Sequence, residues 1–300
     1  MAIITPTLIQ SLFTAFLKHY QDGLGMAESH YKQIATVINS NTASNTYGWL
    51  NQWPEFREWV GDRVFKDMTA QGYAIHNKHY ESSVAVNRDQ IEDDNLGVYA
   101  PMFQEMGRAS KVFYDEQVFG LMKVGESNLC YDGQNFFDTD HPVFPNVDGT
   151  GTAVTVSNYY ADTGEPWYLL DTSRPLKPMI LQLRKEMKFT SMTEDKDEGV
   201  FMRNEYRYGV DGRNNAGFGF WQMAARSEEA LTAANFEKVY DAMRVLKADG
   251  GRPLGLRPKL LVIPPNLRGA AEDIVKVQNI SGTSNKNFNR VEILETEWLI

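Results

Sequence analysis

Asp132, Asp138, Asp140 and His141 crowd into one short segment, Cys130-Tyr-Asp-Gly-Gln-Asn-Phe-Phe-Asp-Thr-Asp-His-Pro. Three carboxylates and an imidazole are a ligand set for Mg, Mn or Zn, and a metal-bound water there would make the chain a metal-dependent hydrolase. A plainer reading needs no ion. Asp132-Gly133, Asp138 and Asp140 would close Asx-turns, and His141 would cap backbone groups before Pro142. Histidine supply favours the plainer reading, because His19, His30, His76 and His79 lie in unrelated segments and none is an obvious second ligand. His76 and His79 flank a turn and lack the further Cys/His pair of a zinc site. Cys130 is the sole cysteine, has only His141 as a nearby base, and reads as a small hydrophobe. The glycine-rich run from Gly209 to Trp221 lacks the Lys-Ser/Thr of a phosphate-binding loop. Gly217 and Gly219 there suit a strand closely approached by another backbone.

Composition narrows the function classes. Hydrophobic residues make up 42% of 300, enough for a sizeable core. A net charge of −9 argues against a surface that neutralises nucleic-acid phosphates. One cysteine excludes an intrachain disulfide and fits a reducing compartment. The first residues lack a basic export region, and no apolar run reaches the roughly 18 residues of a membrane span. The expectation is a chain made and used in the cytoplasm.

The periodicity predicts elements that must position these groups. Leu8, Leu12 and Phe16 predict an amphipathic helix over 7–20, capped by Thr7 and ended by Gly23 and Gly25. Residues 26–52 show little pattern and read as an extended arm that must lie on something else. Residues 62–94 alternate around Tyr73, Ile75 and Asn77, then Ser82, Val84 and Val86. This predicts a long hairpin turning at Asn77-Lys78-His79, too poor in apolar surface to stand alone. A long helix over 99–124 follows, with Pro101 in its first turn, Gly125 as its terminator, and Tyr99, Met102, Met106, Ala109, Phe113 and Gln117 on one face. Strands are expected at 167–170, 179–183, 200–208 and 218–223, a second helix at 232–247, a buried strand at 259–263, a helix at 267–277 and a last strand at 290–295. The class is α+β. An arm, a projecting hairpin and an overlong helix all want outside partners, which is the pattern of an assembly protein.

This order of elements resembles the Hong Kong 97-type capsid proteins. Over nearly its whole length the chain resembles the Mu-like phage major head subunit, on Ala43-Ser-Asn-Thr-Tyr-Gly-Trp-Leu, Glu58-Trp-Val-Gly-Asp-Arg, Ile91-Glu-Asp-Asp-Asn-Leu-Gly-Val-Tyr-Ala-Pro, Tyr131-Asp-Gly-Gln-Asn-Phe-Phe-Asp-Thr-Asp-His-Pro and Gly250-Gly-Arg-Pro-Leu-Gly-Leu-Arg-Pro. The resemblance implies an N-terminal arm (1–58) and an extended loop (59–94) lying across a neighbour. It further implies a peripheral domain (95–249) whose spine helix, 99–124, packs on the helix 232–247, an axial domain (250–289) and a C-terminal strand (290–300). It implies a major capsid protein that self-assembles as pentamers and hexamers into an icosahedral head around double-stranded DNA, without sequence-specific binding, catalysis, metal or cofactor. Its partners would be itself, a scaffold protein, a head maturation protease, a portal and a decoration protein. It would reside in the virion after assembly in the host bacterial cytoplasm. Contacts between subunits are expected at Tyr73, Ile75, Asn77, Lys78, His79, Val84 and Val86, at Trp49, Trp53, Trp59 and Arg63, and at Arg213. Deleting 66–88 is expected to leave a folded chain that cannot assemble.

Overall fold

Leu12, Phe16 and Tyr20 recur every fourth residue, so a helix places all three on one buried face. That helix opens the computed structural model, which describes residues 5–51, 72–92, 96–194, 196–280 and 282–300. Trp53, Trp59 and Arg63 lie outside the described residues. In chain order, α1 (Pro6–Met26) is followed by α2 (Tyr31–Ile34), β1 (Ala35–Asn39) and β2 (Ser44–Thr46). Next come β3 (Ala74–His76), β4 (Lys78–Asn87), α3 (Arg88–Glu92) and the long α4 (Ala100–Lys123). Four short strands follow, β5 (His141–Val143), β6 (Val154–Val156), β7 (Tyr159–Tyr160) and β8 (Trp167–Leu170). Two strands of 14 residues, β9 (Met179–Met192) and β10 (Glu205–Phe218), enclose α5 (Glu198–Arg203). The remainder is β11 (Ala224–Ser227), α6 (Ala233–Arg244), β12 (Leu260–Ile263), α7 (Arg268–Val275), the pair β13 (Asn279–Ile280) and β14 (Thr283–Ser284), and β15 (Glu292–Glu295).

The first sheet has the order β1-β9-β10-β4, with β1 parallel to β9 and the other pairs antiparallel. Alternation along β10 sends Tyr206, Tyr208 and Val210 to one buried face. There they meet α1 and α4: Phe16 stacks on Phe103 at 4.3 Å and stands edge-on to Tyr208 at 5.0 Å. The second sheet has the order β15-β12-β8-β11-β7. Its central strands β8 and β12 are buried along their whole length, which explains their unbroken apolar runs. Trp167, Leu169, Leu261 and Ile263 face α6 and α7. Tyr168, Leu170, Leu260 and Val262 face the main core, which also holds Val118, Phe119 and Met122 of α4. The long helix thus serves both sheets.

Several expectations change. α1 starts one turn's cap earlier, at Thr5, and runs through Gly23 and Gly25. Gly23 is where α4 crosses: a Cβ there would lie 1.9 Å from the Gln104 carbonyl oxygen, and one on Gly107 would lie 2.0 Å from that of Tyr20. α4 therefore packs on α1, and not on α6 as the spine-helix reading held. Met102 is correspondingly exposed, while Gly107, Phe103 and Asp115 face inward. The segment read as an arm is built into the chain's own sheet through β1, with Ile34, Tyr47 and Leu50 buried. The hairpin expected in 62–94 does not form between the described strands. One residue, Asn77, separates β3 from β4, too few to reverse the chain. β3 pairs with β2, and β4 is an edge strand along β10. The long hairpin is β9–β10, and Val200 and the residues around it, expected in a strand, form α5 at its tip. Residues 221–223 are a single 3₁₀ turn rather than a strand.

Two buried charges tie these layers together. Asp115 on α4, 2% exposed, accepts from the backbone N–H groups of His30 and Tyr31 and from the Ser29 hydroxyl at 2.6–3.0 Å. Arg226 on β11 pairs with Glu126 and Glu228, donates to the Lys123 carbonyl, and lies over the rings of Tyr159 and Tyr168. One clamps the entry of α2 and the other the exit of α4.

Candidate functional site

After α4 ends, Gly125 and Gly133 let the chain fold back on itself. Gly133 adopts φ +87°, which an L side chain resists, and the Cys130 N–H bonds the Gln134 carbonyl across the turn. Phe136 and Phe137 are driven into the core beneath this loop, which carries β5 and His141 behind it.

The loop unites Asp132 with His141. His141 Nδ1 lies 2.7 Å from Asp132 Oδ2, and the imidazole is fully buried, stacked flat on Trp221 at 3.9 Å and 7°. The Cys130 thiol donates to Asp132 Oδ1 at 3.0 Å, and the Gln134 N–H reaches the same oxygen. Cys130, set aside in the sequence, is thus the third member. Among the described residues, Cys130, Asp132 and His141 form a group whose donor atoms all lie within 4.8 Å of one another. Asp138 and Asp140 do not join it. Asp138 accepts from the Asn135 and Thr139 N–H groups and Asp140 is exposed, so the Asx-turn bond two residues on is made at Asp132, from the Gln134 N–H, and not at Asp138.

The chemistry of this group is that of a lock. Burial and the neighbouring Asp132 carboxylate push the Cys130 thiol well above its ordinary range, the reverse of what a nucleophile needs. Both carboxylate oxygens of Asp132 already accept from within the group, so the four-residue ligand set of the hydrolase reading does not form. What the triad does is fasten the loop to Trp221.

Most of the described residues expected at subunit contacts serve this chain's own core. Ile75 is buried against Gly217, where a Cβ would lie 2.0 Å from its Cδ1. The Tyr73 hydroxyl accepts from the Phe218 N–H, and burial pushes that phenol up to about 12. Asn77 bonds Ser40, Thr42 and Gln182. Val86 is fully buried, Val84 packs partly against the same cluster, and Trp49 rests on Phe220. Lys78 and His79 are exposed, and Arg213 is half-buried beside His79 on β10. The glycine-rich run is the second half of β10 up to Phe218 and the turn after it; the Ile75 side chain crowds Gly217, and the backbone of Lys177 and Pro178 approaches Gly219.

A fold with a long helix shared by two sheets finds its match among known proteins. The family model of the Mu-like prophage major head subunit gpT matches residues 9–299. The chain belongs to this family. As a Mu-like major head subunit it is 46% identical over 304 residues to the major capsid protein of Escherichia phage Mu, covering 99% of this chain and 100% of that one. It is 48% identical over 281 residues to the Mu-like prophage FluMu major head subunit of Haemophilus influenzae, covering 92% of this chain and 91% of the other. Among solved structures it is similar to the procapsid subunit of bacteriophage JBD30, with TM-score 0.86, 63% identity and coverage of 98% and 100%. The JBD30 capsid subunit follows with TM-score 0.75, 50% identity and full coverage of both chains. A JBD30 capsid decorated with minor capsid protein trimers is matched with TM-score 0.77. The α+β capsid fold expected for this major head subunit is therefore its fold, and its family is one of structural shell proteins. No described helix is long and apolar enough to cross a membrane.

Proposed function

We propose that many copies of this chain group as pentamers and hexamers and close an icosahedral head around double-stranded DNA, as the shell component of a tailed phage or prophage. The observation that carries this reading is the family match over 9–299 together with full-length likeness to capsid subunits. Heterologous contacts that close on themselves are what such a shell needs, and many weak contacts add to a stable particle. The test is negative-stain microscopy with sedimentation of the expressed chain. Shells, tubes or capsomer rings support the reading, and a monomer that stays monomeric with its head-gene partners present sinks it.

The finer partners belong to the same proposal: a scaffold protein, a maturation protease and a portal, with a decoration protein on the outside. The likeness to a decorated JBD30 capsid supports the last of these. The domain division is proposed in amended form. The peripheral domain would comprise α1, β1, β4, α4, β9 and β10. The axial domain would comprise the second sheet with α6 and α7, since β12 and β15 pair within the same sheet as β8. Lys78, His79 and Arg213 remain candidates for contacts with neighbours, because their side chains are not consumed by the core. The net charge of −9 supports an inner surface that does not trap DNA.

A further inference from the structure

The outer face of the first sheet is bare at the tip of the long hairpin. Registers place Ser83, Gly209 and Thr190 in one row across β4, β10 and β9, and Ala85, Arg207 and Met192 in the next. The first row is small, so a groove of about 450 Å³ lies over it, with Arg203 and Arg207 at its rim. α5 closes one end: Gly199 sits so near Arg207 that a Cβ would lie 2.9 Å from its Nε.

On the same short helix stand two large apolar side chains, Phe201 at 80% and Met202 at 69% exposure. Adjacent residues of this kind at a hairpin tip are costly to leave in water. Charge is sorted along the helix as well. Exposed Glu198 opens it and exposed Arg203 ends it, and neither has an ion-pair partner among the described residues. Arg207 reaches Glu205 only at 3.9 Å. The tip therefore offers an apolar knob, a groove, an acid and two bases within one patch.

We propose that this tip is an interface between copies of the chain. Phe201 and Met202 of one copy enter the groove of the next, and Glu198 of the first meets Arg203 and Arg207 of the second. The occupant is a second copy because the patch is complementary to itself in shape and in charge. Subunits with a charge of −9 each repel one another at a distance, so local opposite-charge pairs must fix the register. A knob and a groove within one self-complementary patch let two copies exchange side chains about a two-fold axis, or copies follow one another around a higher one. The inference rests on the shell reading.

The experiment compares shell formation by the wild-type chain and by tip variants, with sedimentation and negative-stain microscopy as the readout. Phe201→Ser with Met202→Ser is expected to abolish shells while leaving circular dichroism and the melting transition unchanged, because both side chains are exposed. Glu198→Arg and Arg203→Glu are each expected to lose shells, and the double variant to recover them. Shells at wild-type yield from the Phe201/Met202 variant, or no recovery in the charge swap, overturn the interface alone. If the wild-type chain itself makes no shells or capsomers under any head-gene complement, the shell reading falls and the interface falls with it.

Discussion

A carboxylate shut away from water must find its hydrogen bonds in the protein, and Asp115 and Asp132 do so for different purposes. Asp115 holds three donors of the segment ahead of α2, so Asp115→Ala would strand two backbone N–H groups in the interior. The expected loss is about 3 kcal/mol, read as a lowered urea midpoint with unchanged slope. Asp132 sets a pH dependence. Burial works against its charge, but hydrogen bonds and charge from His141, with the Cys130 thiol, outweigh it and hold the carboxyl below its ordinary 3.8. A depressed carboxyl contributes stability that is fully present above the ordinary value and lost as pH falls through the lower folded one. Urea midpoints should therefore drop on acidification below about pH 4, and Asp132→Asn should flatten that drop while lowering stability at neutral pH. The loop's composition made Asp132 and His141 visible in sequence only as two of four candidates with Asp138 and Asp140; their pairing comes from the fold. Cys130 was not among the four, because its role comes from the turn at Gly133, which brings the thiol within 3.0 Å of the Asp132 carboxylate.

At the scale of elements, helices were legible and strand partners were not. The ends of α4, α6 and α7 fall within a few residues of where spacing and caps place them, but the face expected on α4 is displaced, with Met102 and Ala109 exposed and Phe103, Val118 and Phe119 buried. Pairing is a long-range choice. β4 alternates as an edge strand must, and alternation alone does not say whether its partner is the preceding strand or β10, far along the chain. The same limit hid β1, whose partner is β9. Deleting 66–88 accordingly removes β3 and β4 and uncovers β10, and it should give insoluble protein rather than a folded subunit blocked in assembly. Soluble yield and circular dichroism after expression decide between these outcomes. The α1–α4 crossing gives a second test. Gly107→Val would push a side chain into the Tyr20 carbonyl, so the helices must part, at about 3 kcal/mol. Thermal melts should show it, and Gly120→Ala, inside α4 with nothing near its Cβ position, should melt slightly above the wild type.

For the whole molecule, charge and shape act together. A surface carrying −9 should keep free subunits from binding duplex DNA at moderate salt, so a gel-shift titration is expected to show no retarded band. Retardation would contradict the inner-surface reading. Composition made the absence of a basic face legible. The sharing of α4 by two sheets was not, because it depends on which end of one helix meets which core.

The pairing of β1 with β9 also sets a schedule. Thr36 and Lys177, bonded across that junction, are 141 residues apart. At roughly 5–20 residues per second, a ribosome needs on the order of ten to thirty seconds between them. Throughout that interval the edge of β1 lacks its partner strand, while α1 can already pack on α4. The hairpin tip is translated later still. On the proposed tip contact, a nascent chain lacks its means of joining other copies until residues beyond Lys177 have been made.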